Sequence, residues 1–522
     1  MDASTTVKIL GGLGLFLLGI HHLTEGLKGL AGDSLRRALQ RLVGGRLSAV
    51  ASGVVFTALI QSSTAATLTV IGFVSAGLVT LAQAVGVIVG ATLGTTTTPW
   101  MVALFGFRVS ISSFALPLLG AGAFLWLVGK GKLRSLGAIL AGFGLIFTGI
   151  DYLQTGMAGV SWNLERFTGG FGSQWILAGI GVAMTIVMQS SSAAAATTLV
   201  ALHAGSVTFE QGCAMIVGQS IGTAVTTALA ALGGGLAVRR AALAHVVFSL
   251  VVGVLAMLLL APLTAAADWV GARLDDPDGV LALAAFSSIF KFAGIAVFFP
   301  WLDRFAELIV RISGTGSESA VGRLDPVLAE AGGPVALEAA WRAILEVARG
   351  TVDSTRRRLA GESAKHEAAV EALPQIEHFL ESLPLETVDL ASIGPRLVRL
   401  CHALDHLASL RDDLGRTPPA AAGWEPPVGF EAAGRALAAW LEATRDPEAA
   451  PAPEVLQAVE AAAAQLRTDR QASRDKLLED VALQRTRTAT ARGALEMLGW
   501  AERALDHASH LAESLRAAAA PA

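Results

Sequence analysis

The sequence predicts an all-α chain. Its first part is a polytopic membrane domain of two repeats, inverted with respect to each other and containing re-entrant hairpins and broken helices; a soluble helical bundle follows. Three observations carry this reading. Only 16% of the 522 residues are charged and 53% are apolar, against about a quarter charged in ordinary soluble domains. Leu47 to Phe107 contains no Asp, Glu, Lys, Arg or His over 61 residues. At about 1.5 Å per residue that length suffices for roughly three crossings of a 30 Å hydrocarbon layer, or for two and a hairpin that enters and returns. The charge is also divided: residues 1–313 hold 17 Lys and Arg against 12 Asp and Glu, net +5, and residues 314–522 hold 22 against 31, net −9. A basic membrane part and an acidic tail read as separate domains. We place the membrane domain at 1–313 (repeat one about 5–130, repeat two about 134–310), a linker at 314–335 and the bundle at 336–522.

The N-terminal run "MDASTTVKILGGLGLFLLGI" lacks a clear small-residue cleavage site and its apolar character continues, so it reads as a first membrane helix and not a signal peptide. "GLGLFLLGIHHLTEG" (Gly12–Gly26) returns as "GFGLIFTGIDYLQTG" (Gly142–Gly156), which marks the opening helix of each repeat. About 40 residues after each opening helix comes a polar tetrad, Gln61-Ser62-Ser63-Thr64 and then Gln189-Ser190-Ser191-Ser192. Aligned at a constant offset of 128 residues, 61–104 and 189–232 share 19 of 44 positions. Duplicated units broken by polar and Gly-rich segments at matching places point to a transporter's binding site; the competing reading is a duplicated scaffold with no substrate. Lys/Arg clusters should mark the cytoplasmic side: Arg36, Arg37, Arg41 and Arg46, then Lys130, Lys132 and Arg134, then Arg239 and Arg240.

In lipid each polar group of the tetrads must find a partner. Their oxygens, with backbone carbonyls, can replace water around a small cation. Their O–H groups, with the free N–H groups at a helix start, can hold an anion. Ser and Thr are also good N-caps, so each tetrad can open a half-helix. No charged residue adjoins either tetrad in sequence, which suits an alkali cation held by neutral oxygens better than a divalent metal. The partner segments "GATLGTTTTPW" (Gly90–Trp100) and "GQSIGTAVTT" (Gly218–Thr227) add hydroxyls, and Pro99 removes a helix hydrogen bond. Two plainer readings remain open: the hydroxyls only bond back to helix carbonyls, or the small residues only let helices pack.

The doubled Gln-Ser-Ser, each followed by a Gly-x-x-x-Gly-Thr segment, resembles the type II sodium/phosphate cotransporter family and its bacterial relatives over roughly residues 5–310. Where that family carries Asn in the second segment, this chain has Thr92 and Ser220. A later family run, Ala-x-x-His-x-x-Phe-Asn, is similar to "ALAHVVFSL", which keeps His245 and Phe248. Its second copy is similar to "AAFSSIFKF", where Lys291 stands in the Asn place. Lys291 either snorkels to the interface or lies near the substrate path.

The resemblance implies sodium-driven symport of inorganic phosphate by alternating access in a bacterial plasma or inner membrane. Phosphate would meet Ser62, Ser63, Thr64, Ser190, Ser191 and Ser192. Sodium, the coupling ion, would meet Gln61, Gln189, Thr92, Thr95, Thr96, Ser220 and Thr223. No organic cofactor is implied.

The tail follows "RISGTGSESA" and divides at "RTPPAAAGWEPP" and "DPEAAPAPE". "RLCHALDHLASL" (Arg399–Leu410) returns weakly as "WAERALDHASHL" (Trp500–Leu511). The tail therefore resembles a PhoU-type bundle, which implies a cytoplasmic regulatory role, a signalling or dimer partner, and a divalent metal on Glu502 and Asp506 with Asp405; the alternative is a solvated helix face. Cys213 and Cys401 fall one in each part, so no disulfide is expected.

Nothing marks an enzyme. No Ser/His/Asp set, His-Glu-x-x-His run or Walker loop occurs, and no basic stripe suggests nucleic acid; lipid is the expected surrounding partner. The remaining alternatives are another oxyanion, sulfate or arsenate, and a membrane-anchored phosphate-signalling regulator whose transport site has lapsed.

Overall fold

The computed structural model describes residues 3–42, 45–75, 78–108, 112–157, 171–232, 235–314, 321, 324, 333–362, 367–383, 390–418, 425–446 and 451–519. The chain forms two compact units, Met1–Gly316 and Ser317–Ala522. Every regular element among the described residues is helical.

In the first unit, repeat one comprises α1 (Ala3–Leu42), α2 (Arg46–Ile60), α3 (Ser63–Ser75), α4 (Leu81–Gly94), α5 (Thr97–Met101), a π-helical turn over Val102–Arg108, and α6 (Ser112–Val128). Repeat two comprises α7 (Lys132–Met157), α8 (Phe171–Met188), α9 (Ser191–His203), α10 (Phe209–Ala230), α11 (Leu236–Leu258), α12 (Leu260–Arg273), α13 (Val280–Phe298) and α14 (Leu302–Ser313). Six stretches are long and apolar enough to cross a bilayer: Ser4–Leu30, Leu81–Gly106, Lys132–Met157, Phe209–Leu229, Leu236–Leu258 and Val280–Ser313. Large apolar side chains such as Phe124, Leu127 and Val187 are 67%, 74% and 82% exposed, as a lipid-facing surface requires. This is a membrane protein. The helices flanking each tetrad are shorter. At 15 and 13 residues, α2 and α3 reach only about 22 and 20 Å, less than the hydrocarbon thickness.

Glycines set how these helices meet. Gly12, Gly19 and Gly26 of α1 lie against Gly149, Gly142 and Ser135 of α7, and Gly142 and Gly149 return the contact to Gly19 and Gly12. Partner numbers fall as α1 numbers rise, so the two opening helices lie antiparallel, backbone against backbone.

The second crossing occurs twice. A Cβ at Gly53 would come within 3 Å of the Val87 carbonyl, and one at Gly181 within 3 Å of the Met215 carbonyl. Gly90 meets Val50 just as Gly218 meets Ala178. All four pairs keep the 128-residue offset. Small residues thus pack α2 on α4 and α8 on α10, as the plainer sequence reading had it.

Of the expected cytoplasmic cations, the side chains of Arg36, Arg37 and Arg41 lie outside the described residues. Arg46 pairs with Asp303 of α14, and Arg240 holds the other end of that helix at Ser313 Oγ (3.1 Å) and the Gly314 carbonyl (2.7 Å).

The second unit holds α15 (Gly333–Leu359), α16 (Glu367–Glu381), α17 (Leu390–Gly415), α18 (Val428–Ala443), α19 (Pro453–Ala482) and α20 (Thr488–Ala519). α15 starts three residues inside the span assigned to the linker, because Pro334 in a first turn needs no N–H partner. Arg396 of α17 binds Glu338 of α15 at 2.6 Å and the Ala518 carbonyl of α20 at 2.9 Å, and Arg342 binds Glu338 at 2.9 Å. Burial raises the Glu338 pKa, but the two arginines outweigh it and hold the carboxyl below its usual range. The tail core is apolar: Trp440 and Trp500 are among the largest fully buried side chains. Cys213 and Cys401 are both free thiols.

Candidate functional site

Each tetrad is a helix break built in the same way. Gln61 and Gln189 follow α2 and α8 in the left-handed region, φ 58° and 52°, a conformation that costs a non-glycine residue about 1 kcal/mol or more. The next residue opens the following helix. Ser62 Oγ accepts from the Ala65 N–H and Ser190 Oγ from the Ala193 N–H, both at 3.2 Å. A serine that accepts from the backbone still has its own O–H to give, so each cap retains a donor.

The Gly-Thr segments present the opposite polarity. Thr92, Thr95 and Thr96 donate to the carbonyls of Val89, Thr92 and Leu93 at 2.7, 2.7 and 2.8 Å. Thr223 donates to Gln219 O at 3.2 Å, and Thr226 and Thr227 to Thr223 O at 2.9 Å. The back-bonding reading therefore holds for these threonines. A hydroxyl whose proton is committed to a carbonyl still offers lone pairs, which suits a cation. Pro99 has no N–H to give the Thr95 carbonyl, and α4 and α5 part at Thr95-Thr96.

The two tetrads meet this break differently. Gln61 Nε2 donates to Thr97 Oγ1 (2.9 Å), and Gln61 Oε1 accepts from Thr98 (2.7 Å). Gln189 is exposed and gives its Nε2 to the Ile186 carbonyl at 2.7 Å. Ser191 and Ser192 instead line a narrow cavity together with Thr95, Pro99, Ala195, Ile216, Gln219, Ser220, Ser287 and Lys291. Its volume is about 10 Å³, room for a single water and too small for an oxyanion as the walls stand. The structure thus brings together Thr95, Ser191, Ser192 and Ser220 of the expected site. Ser62, Ser63, Thr64, Ser190, Gln189, Thr92, Thr96 and Thr223 do not line the cavity; the first tetrad reaches its edge through Gln61 and Thr97–Thr98.

Of two further wall residues, Gln219 lies outside the sequence expectation, and for Lys291 the sequence leaves open snorkelling or a place near the substrate path. Gln219 gives Nε2 to Thr198 Oγ1 at 2.7 Å and accepts Thr185 Oγ1 on its carbonyl at 3.2 Å, and its buried Oε1 has no partner. Lys291 donates to Thr95 Oγ1 at 2.9 Å across 196 residues of sequence. Behind the wall, Thr227 Oγ1 and His245 Nδ1 lie 3.0 Å apart.

In the tail, Glu502 pairs with Arg470, and Asp506 with Arg467 at 3.2 Å. Among the described residues no group of three or more His, Cys, Asp or Glu side chains is placed to hold a metal ion, so the expected set of Glu502, Asp506 and Asp405 is not assembled. His406 stacks on His510 at 5.2 Å. Burial first, and then His510, push its pKa below the usual value.

The model of the Na+/Pi-cotransporter family matches residues 15–155 and 161–271. YqeW of Bacillus subtilis, an uncharacterized protein, is 31% identical over 297 residues, which is 56% of this chain and 94% of YqeW. The chain belongs to the Na+/Pi-cotransporter family. Other relatives are YjbB of Salmonella typhimurium and YjbB of Escherichia coli K12, both provisionally named as inorganic phosphate export proteins. Each is 28% identical, over 315 and 318 residues, and the match covers 59% of this chain and 56% of the relative. No solved structure matches the chain. The family match takes in both tetrads and both Gly-Thr segments; Lys291 and the tail lie beyond it.

Proposed function

We propose that this cotransporter-family chain is a secondary transporter of inorganic phosphate, with sodium as the coupling ion and alternating access around the Thr95–Pro99 break. The tail, on this reading, is a cytoplasmic PhoU-like regulatory bundle. The observation that carries the transport reading is the break itself, flanked by Gln61 on one side and by Ser191 and Ser192 on the other. Donor hydroxyls and a helix start favour the anion, and back-bonded threonine oxygens favour the cation. The antiparallel opening helices support two inverted halves that rock about this point. Arg46 and Arg240, both tied to α14 just before the tail, support a cytoplasmic tail.

Direction is a separate matter. The YjbB names favour outward movement, and a gradient-coupled carrier runs either way as its gradients dictate. Binding tests the proposal without a membrane. Phosphate should raise the melting temperature of the purified full chain in sodium and not in potassium. Equal shifts in both salts would remove sodium coupling; no shift in either would remove phosphate.

A further inference from the structure

Lys291 is a charged side chain in a place that needs explaining. It lies on α13, eleven residues past Val280, inside the Val280–Ser313 stretch that is long and apolar enough to cross a bilayer. A lysine there is among the least tolerated residues unless it faces a cavity or a partner. Snorkelling would carry its ammonium along the helix to the interface. Instead Nζ turns inward to Thr95 Oγ1 on the neighbouring break, 5.8 Å from the centre of the Phe290 ring. Among the described residues no carboxylate pairs with it.

The bond to Thr95 identifies which role the ammonium has taken. Thr95 commits its own proton to the Thr92 carbonyl, so the oxygen meets Lys291 as an acceptor. That lone pair is the kind of ligand a bound alkali cation would use. The ammonium therefore sits where a mobile cation would sit, on the wall of the cavity that Ser191, Ser192, Ser220 and Ser287 also line.

Resting on the reading of this cavity as the oxyanion site, we propose that Lys291 is the fixed counter-charge of the transported oxyanion and replaces one coupling cation. A fixed ammonium balances anion charge but does not travel with it. The carrier thus needs one sodium fewer per oxyanion, and it draws correspondingly less drive from the sodium gradient.

The test is binding of labelled phosphate and, separately, labelled sulfate to the purified full chain across a sodium series, for wild type, Lys291→Gln and Lys291→Arg. Lys291→Gln should weaken phosphate binding at least tenfold at low sodium, recover in part at high sodium, and depend on sodium more steeply than wild type. Lys291→Arg should stay within about threefold of wild type, and Lys291→Gln should not melt lower, since it removes a buried charge without opening a large cavity. A structural lysine would lower melting temperature and leave the sodium steepness alone. Phosphate should also protect Lys291 of the wild type from an amine-reactive label, a readout that needs no variant to fold. Lys291→Gln binding phosphate like wild type, with the same sodium steepness, would overturn the inference and leave the phosphate reading standing. Wild type that binds sulfate and not phosphate, with the same Lys291→Gln loss, would uphold Lys291 and remove phosphate. Wild type that binds neither would overturn both.

Discussion

A glutamine at φ 58° and another at φ 52° hold a backbone shape that glycine would adopt at lower cost. That cost at two matching positions points to the side chain as what is retained. Gln61→Gly separates the two contributions. We expect folded stability within about 1 kcal/mol of wild type, since relief of the backbone cost offsets the lost bonds to Thr97 and Thr98, with sodium-dependent phosphate binding reduced tenfold or more; unaltered binding would remove the amide from the site. Glycine packing gives a contrast at the same scale. Gly218→Ala drives a methyl into the Ala178 carbonyl and should destabilise by about 1–3 kcal/mol in thermal melts. Gly14→Ala meets nothing within 4 Å and should be neutral or mildly stabilising. In the tail, the Glu338 pKa is depressed in the folded chain, so its ion pairs stabilise fully above the unfolded pKa of about 4.3 and are lost as pH falls below it. Hydrogen exchange of α15 should therefore speed up in Glu338→Gln at pH 7, and that difference should shrink as pH falls below about 4 toward the depressed folded pKa. The tetrads were legible in the sequence because they occur twice. Gln219 was not, because its partner in the repeat is Ala91 and a comparison of repeats discards a position that differs.

Among the elements, the break between α4 and α5 is the one that both halves of the site touch. It depends on Pro99, which withholds an N–H from the Thr95 carbonyl. Pro99→Ala should let the helix close through Thr95, raise thermal stability and weaken sodium-dependent binding; the melting curve and binding isotherm of that one variant check both parts. Its position could be read from "GTTTTPW", since Gly, hydroxyls and Pro together signal an opened helix. Which elements it joins could not. Thr95 meets Lys291 across 196 residues, and no periodicity within one helix reports that distance. The tail shows the same limit. An i, i+4 carboxylate pair was visible on α20, but the arginines that occupy it, Arg467 and Arg470, come from α19. The heptad spacing of Gly12, Gly19 and Gly26, repeated at Gly142, Gly149 and Gly156, was open to inspection, yet only contacts show that the two rows face each other in opposite directions.

In the molecule as a whole, α1 and α7 pack antiparallel, and uncharged amides and hydroxyls, with Lys291, gather around the break between α4 and α5. Composition and charge pointed to a membrane part and a separate tail, and the chain divides into Met1–Gly316 and Ser317–Ala522. The direct measurement is flux of labelled phosphate in liposomes carrying the purified chain, with the sodium gradient imposed inward, outward or not at all. Phosphate should follow the sodium gradient in either orientation, and Gln61→Ala should reduce the flux at least tenfold. Flux that ignores the sodium gradient, or that survives the loss of Gln61, would contradict sodium-coupled transport through this break.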